Sequence, residues 1–481
     1  MKHLIFVFIF KILWINHLFS QCVSWTPTSM INPPVARKEH VAVWIGDRMF
    51  IWGGETVANS IKLGDGALYD PLSDTWTPVS NLNAPSPRTN AAGVWTGTEV
   101  IIWGGADGIT GEVNTGAKYN PLTDTWSSIS QVNTFRPKYF QKTSEMPVWT
   151  GSEMIIMGDH NGSFGRSYNP INDVWTAIPN SGFPKFNYFS QIWTGTDVLI
   201  WGGAGPYPTY TNRGFLYNPS TQTWSEISNI GAPSARALPD LFLVGNKAIV
   251  WGGIDDDEVF NDGGMYDFTS NTWVPMATIN SPSQRVAHIS ISSGTKFIVW
   301  SGSTRTTQPK YNNGAEFDPI ANSWTPLTQM GVPSRRRSAA GVWTGSKMIV
   351  WSGDNSLYYG DPGIPDGGIL SFENTNPVVE INGTAYSSIN DAINASAAND
   401  TIIVTSDICE NLFTSLPVNR VLIIPSQYKV DLFGTLTNNG IIINDGTIKA
   451  SGLTFNNNGS YKGTGNYIGN FLNNGSIKPG D

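Results

Sequence analysis

The chain has 481 residues and a formal net charge of −8, and only 14% of its residues are charged. Its 50 glycines, 30 prolines and 19 tryptophans are typical of a soluble β-rich protein with many turns. This composition argues against disorder and against a coiled coil, and the acidic balance without a basic footprint argues against nucleic acid as a partner.

The N-terminus predicts export. Residues 1–20 have the pattern of a secretory signal peptide, with basic Lys2, an apolar run from Leu4 to Leu18 and small Ser20 at the cleavage position. The run is short and Lys11 interrupts it, so cleavage is favoured over a membrane anchor. We therefore expect a secreted or cell-surface protein without a membrane span in the mature chain.

Two short patterns recur together along the chain, about fifty residues apart. An aliphatic–Trp–Gly–Gly pattern, or a close variant of it, occupies residues 51–54, 102–105, 156–159, 200–203, 250–253, 299–302 and 350–353. Before each copy, a turn glycine stands between two β-rich runs, at Gly46, Gly97, Gly151, Gly195, Gly245, Gly294 and Gly345. Glycine readily takes the positive φ that a two-residue hairpin turn needs at its first position, so the patterns predict seven hairpins.

A third pattern predicts how the repeats close. A segment such as "YNPLTDTW" follows six of the hairpins and ends in Trp76, Trp126, Trp175, Trp224, Trp273 and Trp324. The seventh unit lacks it, whereas Trp25 stands before the first hairpin without strands of its own before it. We predict that the N-terminal strand completes the last unit, which closes a ring of four-stranded sheets and removes open sheet edges. The expected fold is all-β, with a seven-bladed propeller over residues 21–372.

These repeats resemble the kelch-repeat family, and the galactose-oxidase-like propellers more broadly. The resemblance rests on the double glycine, the tyrosine that follows it and the tryptophan seven residues later, as in Gly104–Gly105, Tyr119 and Trp126. It implies the propeller fold but does not specify a function, because kelch propellers serve as enzymes, adhesins and protein-binding modules.

Every tryptophan outside the signal peptide falls on one of three repeat positions. These positions are two residues before the turn glycine, directly before the glycine pair, and at the start of the outer strand. Residues that recur in each blade fill the space between blades. We therefore interpret the tryptophans as structural and not as platforms for sugar binding.

Variable loops predict the ligand site. If the strands of each blade are named a to d from the channel outward, the a–b and c–d turns are short. The b–c loops are long and unlike one another, at residues 55–65, 106–115, 160–166, 204–213, 254–262, 303–313 and 355–366. Variable loops on a rigid scaffold commonly carry binding. We expect any ligand on this long-loop face, at the central mouth.

Five arginines occupy one repeat position at this mouth, each nine residues before its turn glycine: Arg37, Arg88, Arg236, Arg285 and Arg336. One interpretation is an anion site, because guanidinium groups bind carboxylate or sulfate in a bidentate way. The other, which the repetition favours, is that each arginine hydrogen-bonds main-chain carbonyls of its own blade. His40 and His288 lie three residues after Arg37 and Arg285 and are expected near the channel as well.

The acidic segment Asp255, Asp256, Asp257 and Glu258, with Asp262 nearby, is the one candidate metal site. Clustered carboxylates suit calcium. Their spacing matches no named calcium loop, so a solvated acidic loop is the favoured interpretation and we expect no cofactor.

Residues 373–481 form a second module by composition. A strand, the amphipathic segment "INDAINAS" and strands separated by Asn-Asn-Gly or Asn-Asp-Gly resemble pectate-lyase-like proteins, which implies a right-handed β-helix (β-solenoid). Lyase chemistry is not expected, because no clustered acidic calcium site with a basic residue is visible. The pattern stops at Asp481 without a cap, and one interpretation is that the module is truncated. Cys22 and Cys409 permit one disulfide in an exported chain but do not require it.

Two functional hypotheses follow. The leading one is an exported, non-enzymatic and monomeric binding or adhesion protein whose long-loop face takes a glycan or protein ligand. The alternative is a carbohydrate-active enzyme, similar to a sugar-acid isomerase, with an arginine-lined central pocket and His40 or His288 as an acid–base group.

Overall fold

A computed structural model describes residues 25–134, 147–158, 165–180, 186–205, 209–304, 310–329, 331–356, 360–363, 365–372, 379–386, 388–405, 408–410, 414–432 and 436–479. The chain forms two compact units: one spans Ser24–Ser371, and Phe372–Asp481 belongs to the other. The predicted signal peptide and Cys22 lie outside the described residues, and only the backbone of Cys409 is described.

The first unit contains seven antiparallel sheets of four strands each within the described residues, in the order expected for a propeller. The innermost strands (a) are Val41–Trp44, Ala92–Trp95, Val148–Trp149, Ser190–Trp193, Asp240–Val244, Ile289–Ser292 and Ala340–Trp343. The b strands are Met49–Trp52, Val100–Trp103, Met154–Met157, Val198–Trp201, Lys247–Trp251, Phe297–Trp300 and Lys347–Trp351.

The outer half of each blade begins at a glycine. The c strands are Gly66–Asp70, Gly116–Asn120, Gly165–Asn169, Gly214–Asn218, Gly263–Asp267, Gly314–Asp318 and Gly367–Ser371. The d strands of blades 1 to 6 are Thr75–Pro78, Thr125–Ser128, Val174–Ala177, Thr223–Glu226, Thr272–Pro275 and Ser323–Pro326. A Cβ on the glycine that opens a c strand would collide with the b strand: at Gly263 it would stand 2.0 Å from the carbonyl oxygen of Val250.

The N-terminal strand closes the ring as predicted. Trp25–Pro27 pairs antiparallel with the last c strand, with Trp25 opposite Leu370, and so supplies the d strand of blade 7. The Trp25 ring packs 4.9 Å from that of Trp300 in blade 6. The first and last parts of the propeller sequence therefore hold each other in one sheet.

The buried b strands form the core between blades. All four residues of Val100–Trp103 are 0% exposed. Gly97 turns the preceding hairpin with φ of 99°, which confirms the reason for glycine at this position. Trp103 packs 4.5 Å from Trp175 of the next blade. The tryptophan before the glycine pair is thus structural, as predicted.

The tyrosine and tryptophan of the third pattern join neighbouring blades. The hydroxyl of Tyr119 donates to Asp124 Oδ1 at 2.9 Å, and the same oxygen accepts the backbone N–H of Ser80 from blade 1 at 2.9 Å. Trp126 Nε1 donates to the carbonyl of Ser80 at 2.7 Å. Blade 2 therefore binds both main-chain polar groups of Ser80 in blade 1, and this link explains the spacing of the pattern.

The link between blades 3 and 4 lacks one of these two hydrogen bonds. The residue that takes the place of Ser80 there is Pro179, which has no N–H to donate, and the acceptor position holds Gln222 in place of Asp or Asn. Trp224 Nε1 still donates to the carbonyl of Pro179 at 3.1 Å. The usual Asp or Asn acceptor is thus replaced, by Gln222, at the one described junction where the backbone N–H donor is missing.

The second unit contains a short helix and two sheets. The helix, Ile389–Ala395, begins after Ser388, whose side chain accepts the N–H of Asp391. One sheet runs in the order Thr384–Tyr386, Val379–Ile381, Thr401–Val404, Val421–Ile424, Ile441–Asn444, Ser460–Gly463 and Ser476–Pro479. The other contains Ile408–Glu410, Lys429–Leu432, Thr447–Asn457, Leu436–Asn438 and Thr414–Leu416, with Asn466–Asn473 also paired to Thr447–Asn457.

The strand directions of this unit do not establish the predicted β-helix. Val379–Ile381 pairs antiparallel with both of its neighbours, so the first sheet is mixed. From Thr401–Val404 onward the successive pairings are parallel. In the described part of the chain, no helix is long and apolar enough to cross a membrane.

Candidate binding face of the propeller

The long-loop face is built around the segments that enter the innermost strands. In blade 1 the two-residue strands Arg37–Lys38 and Glu55–Thr56 pair antiparallel. Single bridges, such as that between Thr89 and Ala106, hold the start of the b–c loop in other blades. Each long loop whose base the structure describes is therefore fixed beside the channel, and its tip is left to vary.

A ring of left-handed residues lines this entrance. Glu39, Asn90, Tyr188, Leu238, Ala287 and Ser338 occupy one repeat position, and each has φ between 51° and 60°. Such φ values are unfavourable for residues other than glycine. Main-chain bonds between blades hold them: the N–H of Asn90 donates to the carbonyl of Glu39 at 3.0 Å, and that of Ser338 to Ala287 at 2.8 Å. Sequence reasoning missed this ring, because its residue types share no chemistry.

The five predicted arginines stand two residues before the left-handed residues in their blades, but their side chains are buried, with at most 1% of each residue exposed. In Arg88, Nε donates to the carbonyl of Ser86, and one terminal nitrogen donates to the carbonyls of Gly104 at 2.9 Å and Thr115 at 2.7 Å. The other terminal nitrogen donates to the hydroxyls of Ser86 and Thr115. The guanidinium group thus ties the a-strand entry to both ends of the b–c loop.

The other four arginines repeat these contacts with the equivalent carbonyls of their own blades. Burial lowers the pKa of Arg88 and of Arg285 to about 10. Carboxylates accompany three of the five, with Arg236 beside Asp262 at 2.8 Å and Arg336 beside Asp366 at 2.7 Å. These contacts match the structural interpretation of the arginines, and the anion site stays a prediction.

The two predicted histidines lie in different surroundings. His288 Nε2 is 2.6 Å from a carboxylate oxygen of buried Asp240 in blade 5, whose other oxygen accepts the Ser290 hydroxyl at 2.9 Å. His40 has no hydrogen-bond partner on either ring nitrogen within the described residues and packs edge-on against Trp351. Burial, helped by the charge of Arg37, lowers the pKa of His40 to about 3. Both rings are buried, at 7% and 8% exposure.

The acidic segment is organised by its own turn. Asp255 accepts the backbone N–H groups of Asp257 and Glu258, Asp256 accepts the hydroxyl of Tyr210 at 2.7 Å, and Asp262 pairs with Arg236. Across the described ranges, no group of three His, Cys, Asp or Glu side chains is placed to hold a metal ion.

Two buried carboxylates each hold two cations on this face, a feature that sequence reasoning missed. Asp354 binds Lys310 at 2.8 Å and Arg337 at 2.9 Å. Although burial acts in the opposite sense, hydrogen bonds from Lys310, Ser356 and Arg337 and the charge of Lys310 hold the pKa of Asp354 well below its usual range. Glu55 is held in the same way by Lys38, at 3.1 Å, and by Lys62.

The two clusters are neighbours across the closure of the ring. The N–H of Gly353, next to Asp354, donates to the carbonyl of Arg37 at 2.8 Å, and Lys38 follows Arg37. The arrangement gives a rigid polar surface that can make hydrogen bonds and ion pairs.

Comparison with known proteins assigns the family. No curated protein matches the chain. The family model described as the KLHDC2/KLHL20/DRC7 Kelch-repeats domain matches residues 8–194 and again residues 188–366, which together cover well over half of the chain. This is what the repeated glycine pair, tyrosine and tryptophan predicted, and the chain therefore belongs to the kelch-repeat family.

Proposed function

We propose that the chain is an exported, non-enzymatic binding or adhesion protein that engages its ligand through the long-loop face of the propeller. A kelch propeller points to a protein-binding role in general. Among the two ligand classes that the sequence left open, a protein partner is therefore preferred over a glycan on this face. Export and a cell-surface location rest on the pattern of residues 1–20 alone.

The observation that carries the proposal is the contrast between fixed loop bases and variable loop tips. Main-chain bridges fix the described loop bases, and in five blades a buried arginine does so as well, as at Thr89 and Arg88. The tips differ in length, charge and polarity, and they expose apolar side chains such as Ile109, which is 91% exposed. A rigid ring that presents unlike loops is suited to recognising an extended partner surface.

The enzyme alternative has less support. A sugar-acid isomerase would need an acid–base group within reach of a substrate in the central pocket. His288 is buried against Asp240, His40 is buried with its pKa lowered, and the predicted arginines donate to carbonyl groups of their own blades.

For the second unit we propose a solenoid that acts as a stalk. Parallel pairings stack successive strands, and asparagine amides form a ladder: Asn438 Nδ2 donates to Asn457 Oδ1 and Asn457 Nδ2 to Asn473 Oδ1, each at 2.7 Å. Such ladders accompany parallel stacking of similar segments.

Binding to an array of extracellular proteins tests the proposed function, with the purified full chain as probe. The variant Ile61→Asp/Ile109→Asp changes two exposed side chains of the long loops. Leu72→Asp/Leu122→Asp is the matched control, since these residues are 96% and 87% exposed on c–d turns. We expect a protein that binds the wild type and the control but not the long-loop variant. Equal loss in both variants, or no bound protein, would contradict the proposal.

A further inference from the structure

We infer that the opposite face of the propeller carries a second binding site, an arc of tryptophans around the channel that takes a neutral oligosaccharide. This short-turn face contains the a–b turns at the glycines defined above. The tryptophans are Trp343, Trp44, Trp95, Trp149 and Trp193, which stand two residues before the turn glycine in five consecutive blades, numbered 7, 1, 2, 3 and 4. The inference concerns residues separate from the long-loop face and does not depend on the function proposed for it.

The structure divides the repeated tryptophans into two classes, and for the second class the inference replaces the purely structural interpretation drawn from sequence. Those before the glycine pair, such as Trp52 and Trp103, are 0% exposed, whereas the five of the arc are all partly exposed. They lie at the short-turn ends of the innermost strands, and each innermost strand neighbours that of the next blade around the channel. The tryptophans are therefore placed in sequence around one opening.

The fold does not require tryptophan at this position. Blades 5 and 6 have Leu243 and Ser292 there and form the same four-stranded sheets in the same register. By contrast, the tryptophan before the glycine pair is present in six blades and the outer-strand tryptophan in all seven. The tryptophans that the fold does not require thus lie in five consecutive blades, which points to a ligand and not to packing alone.

Carboxylates lie at the same blade junctions as the rings. Trp149 packs against the apolar cluster between blades 2 and 3, and Trp193 against the one between blades 3 and 4. Glu99 of blade 2 faces blade 3, because its partner Lys118, at 3.6 Å, also donates to the carbonyl of Pro170 in blade 3. Glu153 occupies the equivalent position in blade 3, two residues after its turn glycine, and after burial its charge is the second cause that raises the pKa of Tyr217 in blade 4. Glu153 therefore faces blade 4. Each of these junctions therefore combines an indole ring with a carboxylate.

This chemistry suits a sugar. The exposed part of an indole ring can stack on the C–H face of a pyranose, and carboxylates accept hydrogen bonds from its hydroxyls. Two charged pairs beside the arc are neutralised locally: Glu99 pairs with Lys118, and Arg48 with Asp47, whose atoms are 3.3 Å apart. With these charges paired and a further carboxylate at Glu153, a neutral ligand is favoured over an anionic one.

Titration calorimetry with cellohexaose, laminarihexaose and mannohexaose tests the inference on the full chain. We expect at least one of them to bind, and Trp149→Leu and Trp193→Leu to weaken that binding about tenfold. Leucine is chosen because blade 5 folds with Leu243 at this position. Glu153→Gln retains the shape of the side chain and should weaken binding without changing the melting temperature, whereas Ser292→Ala should leave affinity unchanged.

Two results would overturn the inference. One is the absence of binding for all three oligosaccharides at millimolar concentration. The other is binding that persists in the tryptophan variants, which would place the sugar elsewhere. If the sugars fail and a protein identified on the array loses affinity with Trp149→Leu, the arc is a protein contact and the saccharide assignment is wrong.

Discussion

The link between neighbouring blades makes a quantitative prediction at Asp124. Its Oδ1 accepts both the hydroxyl of Tyr119 and the backbone N–H of Ser80. Asp124→Gly removes the acceptor while tolerating the residue's φ of 52°. Tyr119 is 1% exposed, so in this variant its hydroxyl loses its hydrogen bond in a buried site. The Asp124 carboxylate is exposed, so its hydrogen bonds contribute less to the free energy of unfolding than those of a buried carboxylate would. The two bonds together are expected to contribute about 2 kcal/mol.

The magnitude converts to a shift in melting temperature. An unfolding entropy of about 2.1 cal/mol/K per residue over about 350 residues gives roughly 0.7 kcal/mol/K, so Asp124→Gly should melt about 3 °C below the wild type. Asp124→Ala should lose about 1 kcal/mol more, because alanine is strained at positive φ. Differential scanning calorimetry at neutral pH measures both variants.

Two controls are built into the chain. Asp124→Asn should melt within about 1 °C of the wild type, because Asn271 already accepts the equivalent bonds from Tyr266 and Ser228 in blade 5. Gln222→Gly should not destabilise the protein, since its junction has no N–H to accept at Pro179. The reasoning is refuted if Asp124→Gly melts with the wild type or if Asp124→Asn loses as much as Asp124→Gly.

Three further predictions follow from buried groups. Arg88→Met should destabilise the propeller by about 3 kcal/mol or more, because it leaves carbonyls and hydroxyls of one blade without their donor. An unchanged denaturation midpoint, or a loss of affinity for sulfate without loss of stability, would contradict a structural role for Arg88. The pKa of His40 falls from 6.5 to about 3 on folding, so the free energy of unfolding should drop by about 2 kcal/mol between pH 7 and pH 5, because the unfolded state binds the proton first. His40→Leu should remove this part of the acid sensitivity in urea titrations at the two pH values. An unaltered pH dependence in that variant would disprove the prediction. Gly263→Ala should be more damaging than Gly97→Ala. A Cβ at Gly263 meets the Val250 carbonyl at 2.0 Å, whereas at Gly97 nothing lies within 4 Å and alanine meets only the backbone strain of φ 99°. A smaller loss at Gly263 in thermal denaturation would show that the c strand can shift.

The propeller could be predicted from sequence because its signals are local and repeated. Gly97 fixes a hairpin turn, Trp103 marks a buried strand, and Trp25 without a blade of its own indicates the closure. Each signal acts within about ten residues, and sevenfold repetition separates it from chance.

The polar organisation of the long-loop face could not be predicted in this way. Lys310 and Asp354 come from the loops of neighbouring blades, 44 residues apart, and their pairing depends on loop conformations that vary from blade to blade. The left-handed residues at the entrance include Tyr188 and Leu238, types that do not favour positive φ, so tertiary bonds determine the backbone there. The partial exposure of the arc tryptophans could not be predicted either, because the sequence shows that they repeat but not how much of each residue is covered.

For residues 373–481, the resemblance to pectate-lyase-like proteins did not predict all strand directions. The amphipathic segment "INDAINAS" predicted the short helix that the structure has at Ile389–Ala395, whereas the predicted β-helix is not established. The antiparallel pairing of Val379–Ile381 with both neighbours makes the first sheet mixed, and nothing in the strand pattern indicated this direction.

The most direct test of the proposed binding role is hydrogen–deuterium exchange of the full chain, alone and in complex with a protein identified on the array. We expect slower exchange in the long b–c loops and in the left-handed segments at the channel entrance, with the c–d turns unchanged. Protection confined to the c–d turns, or no protection in the long loops, would contradict it.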